Sequence, residues 1–326
     1  MHITRVVVAL LAAAGFAANT PGVAGAQDEV PWTVATAVND LGTDRDNYSY
    51  TADAGERIDD GLVIANHGPA PLDLAVYSAD AFTTDSGQLD LLAKGKPSTG
   101  VGAWVRPSHD HVTVQPGQTA EMPFTVTVPA DASSGDHLGG ILTSTTQGGV
   151  ERRVGIRIRL RVGGDLRPGL SVEDAEVGYA GTANPFGTGD ATLTYTLRNT
   201  GNAVVAARQS ASVSGPFGSL RVQAGAIPDS PQLLPGETRK VSVPVPAVTP
   251  ALSLTGTVTV VPLLTDAAGS TAPLPATETT THASAVPWTL VACVVALIAV
   301  LVVLRRRRRA KPGEDERLPE RDEVAV

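Results

Sequence analysis

Four arginines, Arg153, Arg157, Arg159 and Arg161, alternate with Val154, Ile156, Ile158 and Leu160. In an extended chain successive side chains point to opposite faces, so all four guanidinium groups leave the same face of one strand. Guanidinium pairs bidentately with carboxylates and phosphates. Such a stripe suits an anionic polymer. It equally suits a solvated outer face or the guarding of an edge strand. Both readings stand on the sequence.

Other residue types with chemical potential occur in short clusters. Asp136 and His137 lie beside Gly139 and Gly140. A polar pair next to small residues lets a ligand approach the backbone, which makes these four a candidate binding segment; a tight turn between strands would look the same. Ser133 and Ser134 precede them, but no Gly-x-Ser-x-Gly elbow is present, and triad residues meet through the fold rather than by adjacency. His109-Asp110-His111 places two imidazoles on one strand face, with His137 far along the chain, and nothing in the spacing makes a third metal ligand. Asn39, Asp40, Asp44, Asp46 and Asn47 form an acidic loop. A calcium loop would close on a bidentate Glu, and Gly55 stands there instead. No phosphate loop or dinucleotide glycine pattern occurs. The residues therefore predict a non-enzymatic protein with no cofactor and no metal. Aromatics are few, which argues against a stacked sugar platform, and Trp104 reads as core.

The elements that must hold these residues are strands. Glu121–Val128, Val154–Val162 and Ala191–Arg198 alternate strictly, the mark of half-buried strands. Gly and Pro punctuate them at short intervals, and no long stretch before residue 283 has helical period. The chain also repeats. Leu62 to Ala70, with Asn66-His67-Gly68, is followed by Pro116-Gly117 and a strand ending at Pro129; Leu193 to Ala203, with Asn199-Thr200-Gly201, is followed by Pro235-Gly236 and a strand ending at Pro244. Asn, Gly and Pro each supply the backbone angles of turns. The fold class expected is all-β: two tandem immunoglobulin-like β-sandwiches over residues 27–163 and 164–265, split near Gly163-Gly164 by a joint too short for wide hinge motion.

The ends of the chain set its topology. Arg5, the apolar run Val6–Ala18 and Ala24-Gly25-Ala26 read as a secretory signal over residues 1–26. No charge occurs from Ala283 to Leu304, and Arg305 to Arg309 follow at once. A helix over 286–304 spans a hydrocarbon core of about 30 Å, with the basic block on the cytoplasmic side. The expectation is a single-pass cell-membrane protein, its sandwiches outside and residues 305–326 inside as a tail. Residues 266–285, rich in Thr, Ala and Pro, read as a disordered stalk with a reach of about 60 Å. The one cysteine, Cys293, lies in the span, so the outer part carries no disulfide. Arginine far outnumbers lysine, which occurs only at positions 94, 96, 240 and 311; with the Ala, Gly and Pro content this suggests a GC-rich, Gram-positive-type bacterium. The chain holds 33 Asp+Glu against 25 Lys+Arg. With the five-arginine block set aside the exterior is more acidic still, giving no footprint for nucleic acid.

Tyr50 to Gly55, Asn66, Tyr77-Ser78-Ala79-Asp80-Ala81, Trp104, Pro116-Gly117, Val128-Pro129 and above all Gly135-Asp136-His137-Leu138-Gly139-Gly140-Ile141 carry a resemblance. The chain from about residue 30 to 163 resembles the peptidoglycan-binding domain of the WxL-interacting proteins. Signal, two β domains, one C-terminal span and a basic tail are similar as well. The resemblance implies a wall-associated membrane protein that binds peptidoglycan and is able to hold other surface proteins; the arginine stripe adds an anionic wall polymer as a ligand. It does not extend to the second domain, and Trp288-Thr289-Leu290 spells the partner motif only at the membrane edge. The alternative that the residues leave open is a structural spacer or protein-protein adaptor acting by strand addition at a sheet edge.

Overall fold

A computed structural model describes residues 30–309, apart from 148, 183, 185–186, 266–269 and 287. The signal segment and the tail beyond residue 309 lie outside the described residues. The first domain is a two-sheet sandwich. One sheet has the order β1-β3-β8-β6, formed by Trp32–Thr36, Arg57–Asn66, Thr119–Thr127 and Val105–Pro107. The other runs β2-β10-β9-β4-β5, formed by Tyr48–Ala52, Val150–Val162, Gly135–Gln147, Leu72–Thr83 and Leu89–Leu91, with β7 (His111–Val114) also on β4. Strand β2 is parallel to β10; the other pairings are antiparallel. Alternation sends Ile156, Ile158, Leu160 and Val162 inward to meet Trp32, Tyr48, Leu62 and Ile64, all buried. Trp32 donates to the Thr143 hydroxyl at 2.7 Å, so its polar edge is satisfied inside the core. Trp104 closes the short helix α1 (Val101–Trp104) and is buried, as a core residue should be.

The second domain repeats the plan. Strands β11 (Leu170–Ala180), β12 (Gly189–Asn199) and β15 (Thr238–Val248) form one sheet. Strands β13 (Val205–Ser214), β14 (Val222–Gln223), β16 (Leu252–Thr265), β17 (Thr271–Pro273) and β18 (Thr277–Ala285) form the other. The repeat holds at the level of single hydrogen bonds. Asn66 Nδ2 donates to the carbonyls of Ala70 and Val114, and its Oδ1 accepts from the Gly68 amide. Asn199 Nδ2 donates to Ala203 and Leu233, and its Oδ1 accepts from Gly201. Each asparagine is buried, and each ties the end of one strand to the turn after it and to the Pro-Gly turn far along the chain.

Strand β18 corrects the expectation of a stalk. Thr277 to Ala285 pairs antiparallel with β16 over its whole length, from Val260↔Thr277 to Leu252↔Ala285. The topology explains why. In the first domain β4 pairs β9 and β9 pairs β10; in the second β13 pairs β16 and β16 pairs β18. Strand β18 is thus the counterpart of β10, without which the second sandwich lacks its last strand. Its inward residues, Thr279, Thr281, Ala283 and Ala285, are small, so the segment looks as though it has nothing to bury. β-Branched threonine nevertheless fits a half-buried pleated surface.

Helix α2 covers Trp288–Arg309. It starts two residues later than expected and carries the five arginines inside the helix, since arginine is a good helix former and nothing breaks the helix before them. Within Trp288–Arg307 an 18-residue window has a mean hydropathy of 2.6, and none of it is buried against the protein. At about 1.5 Å per residue, 20 residues match the hydrocarbon thickness of a bilayer.

Candidate functional site

The segment Gly135–Gly140 opens β9 where the two domains meet. The Asp136 side chain is wholly buried. Its Oδ1 accepts from Arg161 Nε at 2.7 Å; its Oδ2 accepts from Arg161 Nη2 at 3.1 Å, Arg159 Nη2 at 3.0 Å and the Val204 amide at 3.0 Å. Val204 belongs to the second domain. Arg159 Nη2 also donates to the Thr265 carbonyl of that domain at 2.9 Å, and the Asp136 amide donates to the Asn202 carbonyl at 2.7 Å. Burial alone would push the Asp136 carboxyl up. The hydrogen bonds from Arg161 and Val204 and the charges of Arg159 and Arg161 overcome that and hold it below its ordinary value, while the same bond raises Arg161. A buried carboxylate with four charge-assisted or amide donors is a structural clamp, with no lone pair turned to solvent for a ligand.

Asn202 completes the junction from the other side. Its Nδ2 donates to the carbonyls of Ser134 and Asp165, and its Oδ1 accepts from the Arg167 amide at 2.6 Å. Gly135 sits at φ +120°, and a Cβ there would collide with the Asn202 carbonyl, so only glycine fits. A second clamp lies at the tip of the first domain. Glu237 accepts from the Thr83 amide at 2.8 Å and from its hydroxyl at 2.7 Å, and Arg239 donates to the Asp85 carbonyl. Two separated sets of bonds link the domains on both sides of the joint.

The remaining residues of the candidate segment also have structural work. His137 Nε2 lies 2.8 Å from the Ser133 carbonyl, and its ring packs on Trp104 with centroids 4.7 Å apart. It meets neither the Ser133 hydroxyl nor Asp136, so no triad forms. A Cβ at Gly139 would stand 2.7 Å from the Ala79 carbonyl and 2.8 Å from Val101 Cβ. The glycine is small because α1 lies across it. Gly140 similarly admits Leu91 of β5. His109 and His111 are exposed, and among the described residues no group of three His, Cys, Asp or Glu side chains is gathered as a metal site would need. The acidic loop before β2 is held by its own Arg45, which donates to buried Asp60 at 2.7 and 3.0 Å; Tyr50 and Asn39 donate to the same carboxylate. Burial opposes, but Arg45 and Tyr50 hold the Asp60 carboxyl below its ordinary value.

The arginine stripe does leave one face, but it is not a free positive surface. Arg153 pairs with both carboxylate oxygens of Asp90, at 2.8 and 3.0 Å, and with the Leu91 carbonyl. Arg159 and Arg161 belong to Asp136. Arg157 alone is exposed and makes no hydrogen bond or ion pair among the described residues. It lines a cleft of about 170 Å³ between the domains, with Tyr48, Leu138, Val204 and Gln232.

The same strand has a feature that alternation could not reveal. Strand β2 pairs only with Ile158–Val162 of β10. On that side the preceding five residues, Arg153 to Arg157, pair with no strand among the described residues. The side facing β9 is paired throughout. Backbone donors and acceptors along such an edge await a partner strand.

No family model and no curated protein matches the chain. Among solved structures it is similar to a chaperone–tip adhesin complex of CFA/I fimbriae biogenesis, at 7% identity with a TM-score of 0.39 over 77% of this chain and 99% of that one. The CupB2 chaperone of Pseudomonas aeruginosa aligns at 11% identity and a TM-score of 0.31 over 74% and 99%. The E. coli chaperone DraB aligns at 8% and 0.31 over 77% and 96%.

Proposed function

We propose that the chain is a membrane-anchored surface adaptor whose outer domain takes up an extended segment of another cell-surface protein along the open edge of β10. The observation that carries this is the stretch Arg153–Arg157, which no described strand pairs on the side away from β9, on a strand that already accepts β2 in parallel over its second half. An added segment would continue the line of β2 beyond Tyr48. Main-chain bonds would give it affinity, and alternate side chains would give it register. Exposed Val150 offers an apolar contact at one end. At the other, Arg157 in its cleft gives an acidic side chain a partner. The sandwiches lie outside the cell and α2 crosses the membrane with its arginines on the cytoplasmic side.

The competing reading is binding of peptidoglycan or anionic wall polymer by the same domain, as the resemblance to WxL-interacting proteins implies. The stripe that would make such contacts is largely committed to Asp90 and Asp136, and the glycines of the segment are committed to packing.

A Cys293→Ser protein carrying Val150→Cys or Glu151→Cys, each with a photoreactive maleimide, tests the adaptor on intact cells. Thr277→Cys on β18 is the control. Cross-linking from the β10 positions alone, followed by slowed amide exchange over residues 153–157 when the captured segment is added as a peptide, is the expected result. Exchange there that the peptide leaves unchanged overturns the reading.

A further inference from the structure

Exposed large apolar residues of the second domain gather at one end. Phe217 is fully exposed, Leu252 is 65% exposed and Leu220 is 55% exposed. Leu252 begins β16, opposite Ala285, the last residue of β18. The turn holding Phe217 and Leu220 follows β13 and lies against the residue before Leu252: a Cβ at Gly215 would stand 3.1 Å from Ala251 Cβ. All three side chains sit on backbone at positive φ, +58°, +52° and +61°. That region disfavours any residue with a Cβ and is a marked outlier for bulky ones. Six non-glycine residues among those described have positive φ, and Ala247, also at this end, is a fourth of them. The fold keeps unfavourable backbone where it turns apolar side chains outward.

What covers this end follows from the chain itself. Only two residues separate Ala285 from Trp288, where α2 begins. Three peptide steps reach at most about 10 Å. The first turn of α2 and the loops of the domain already share a cleft, lined by Tyr179, Thr182, Pro250, Ala285 and Trp288. A tryptophan at the outer end of a spanning helix sits at the level of the lipid headgroups. Leu252, paired with Ala285 about 5 Å away, therefore lies within about 15 Å of that level. We propose that this end of the second domain rests on the outer leaflet, with Phe217, Leu220 and Leu252 inserted into the interface beside Trp288 and Arg221 meeting lipid phosphate. Apolar loops with an adjacent cation suit that boundary. The domain then stands directly on the membrane and fixes the height and tilt of the outer domain, as a plinth does.

The inference rests on α2 spanning a bilayer, so the test reads both. The full chain is reconstituted in vesicles of phosphatidylglycerol and phosphatidylethanolamine. In the otherwise native protein, protection of Cys293 from a membrane-impermeant maleimide until detergent is added reports the span. In the Cys293→Ser background, Phe217→Cys, Leu220→Cys and Leu252→Cys carry an environment-sensitive fluorophore, with Val150→Cys as an exposed apolar control. Expected are a blue shift and loss of emission at the three sites when shallow-brominated lipid is included, with no change at position 150. Protected Cys293 with unquenched labels at all three sites overturns the docking and leaves the span standing. Labels shielded from an aqueous quencher yet untouched by brominated lipid also overturn it, in favour of a protein cover or a second copy. Cys293 labelled without detergent removes span and docking together.

Discussion

The two domains share a scaffold and differ in what is added to it. Asn66 and Asn199 make the same three side-chain bonds. The far bond spans 48 residues in the first domain and 34 in the second, so the first carries 14 more residues between its asparagine and the carbonyl that closes the plan. In that longer interval lie β5 and α1, whose approach is what requires Gly139 and Gly140. The first domain also has a strand, β2, that crosses to pair in parallel with β10, and leaves part of that edge open. The counterpart β18 runs beside β11, which closes its corner, and its inner face is small and threonine-rich. The scaffold is generic. The additions leave the first domain with part of an edge that no described strand pairs, and the second domain exposes its large apolar residues in loops at one end.

The sharpest test of the shared scaffold is to remove its centre from each copy. Asn199→Ala strands two buried carbonyls and one amide, and Asn66→Ala one buried carbonyl, one part-buried carbonyl and one amide, at about 1–3 kcal/mol per unsatisfied buried group. We expect losses of about 3 kcal/mol or more in urea unfolding, similar in the two variants. A mild effect in one and a severe effect in the other would break the equivalence.

Next is the joint that makes the two domains one body. Asp136→Asn leaves Arg159 and Arg161 partly buried without their anion, a change that costs about 3 kcal/mol in comparable pairs, and we expect the single unfolding transition to split into two. Acid should do the same without mutation. The Asp136 carboxyl titrates lower in the folded protein than in the unfolded chain. Its contribution is therefore present at neutral pH and is lost as pH falls through about 4, the unfolded value, and below. Unfolding followed by circular dichroism as pH is lowered from 6 reads the loss. A single transition in the Asp136→Asn protein would remove Asp136 from this role.

The equivalence of β18 and β10 gives a smaller but decisive change. Ala285 is buried, and Ala285→Asp places an unpaired carboxylate beside the core, for about 2 kcal/mol or more. A disordered stalk would tolerate the substitution with no change in melting. Amides over residues 277–285 should likewise exchange slowly.

This segment shows what the sequence discloses and what it hides. Strict alternation marks β8, β10 and β12, because one face of each is aliphatic. The Asn-x-Gly and Pro-Gly spacing discloses the repeat, because those residues are demanded by backbone angles. Strand β18 escapes because small inward residues do not alternate in hydrophobicity. Yet the repeat carried a signal: a first copy with a final strand and a second without one is incomplete. The arginine stripe was legible as a face, and its neutralisation was not, since Asp90 and Asp136 are 63 and 25 or fewer residues away from their partners and meet them only through the fold. Asp60, Asn202 and Glu237 escaped for the same reason.

The finest distinction between the domains is whether Arg157 serves a ligand or merely solvates its strand. Replacing all four arginines would dismantle the junction and confuse loss of binding with loss of structure. Arg157→Gln alone touches no partner among the described residues, so its effect on unfolding should stay within about 0.5 kcal/mol. On the adaptor reading it weakens capture of an acidic extended segment while co-sedimentation with purified peptidoglycan stays at background for both proteins. A strong wall pellet that the substitution abolishes would reverse the assignment: the outer domain would then grip wall polymer, and the open edge of β10 would be only the unguarded part of a strand.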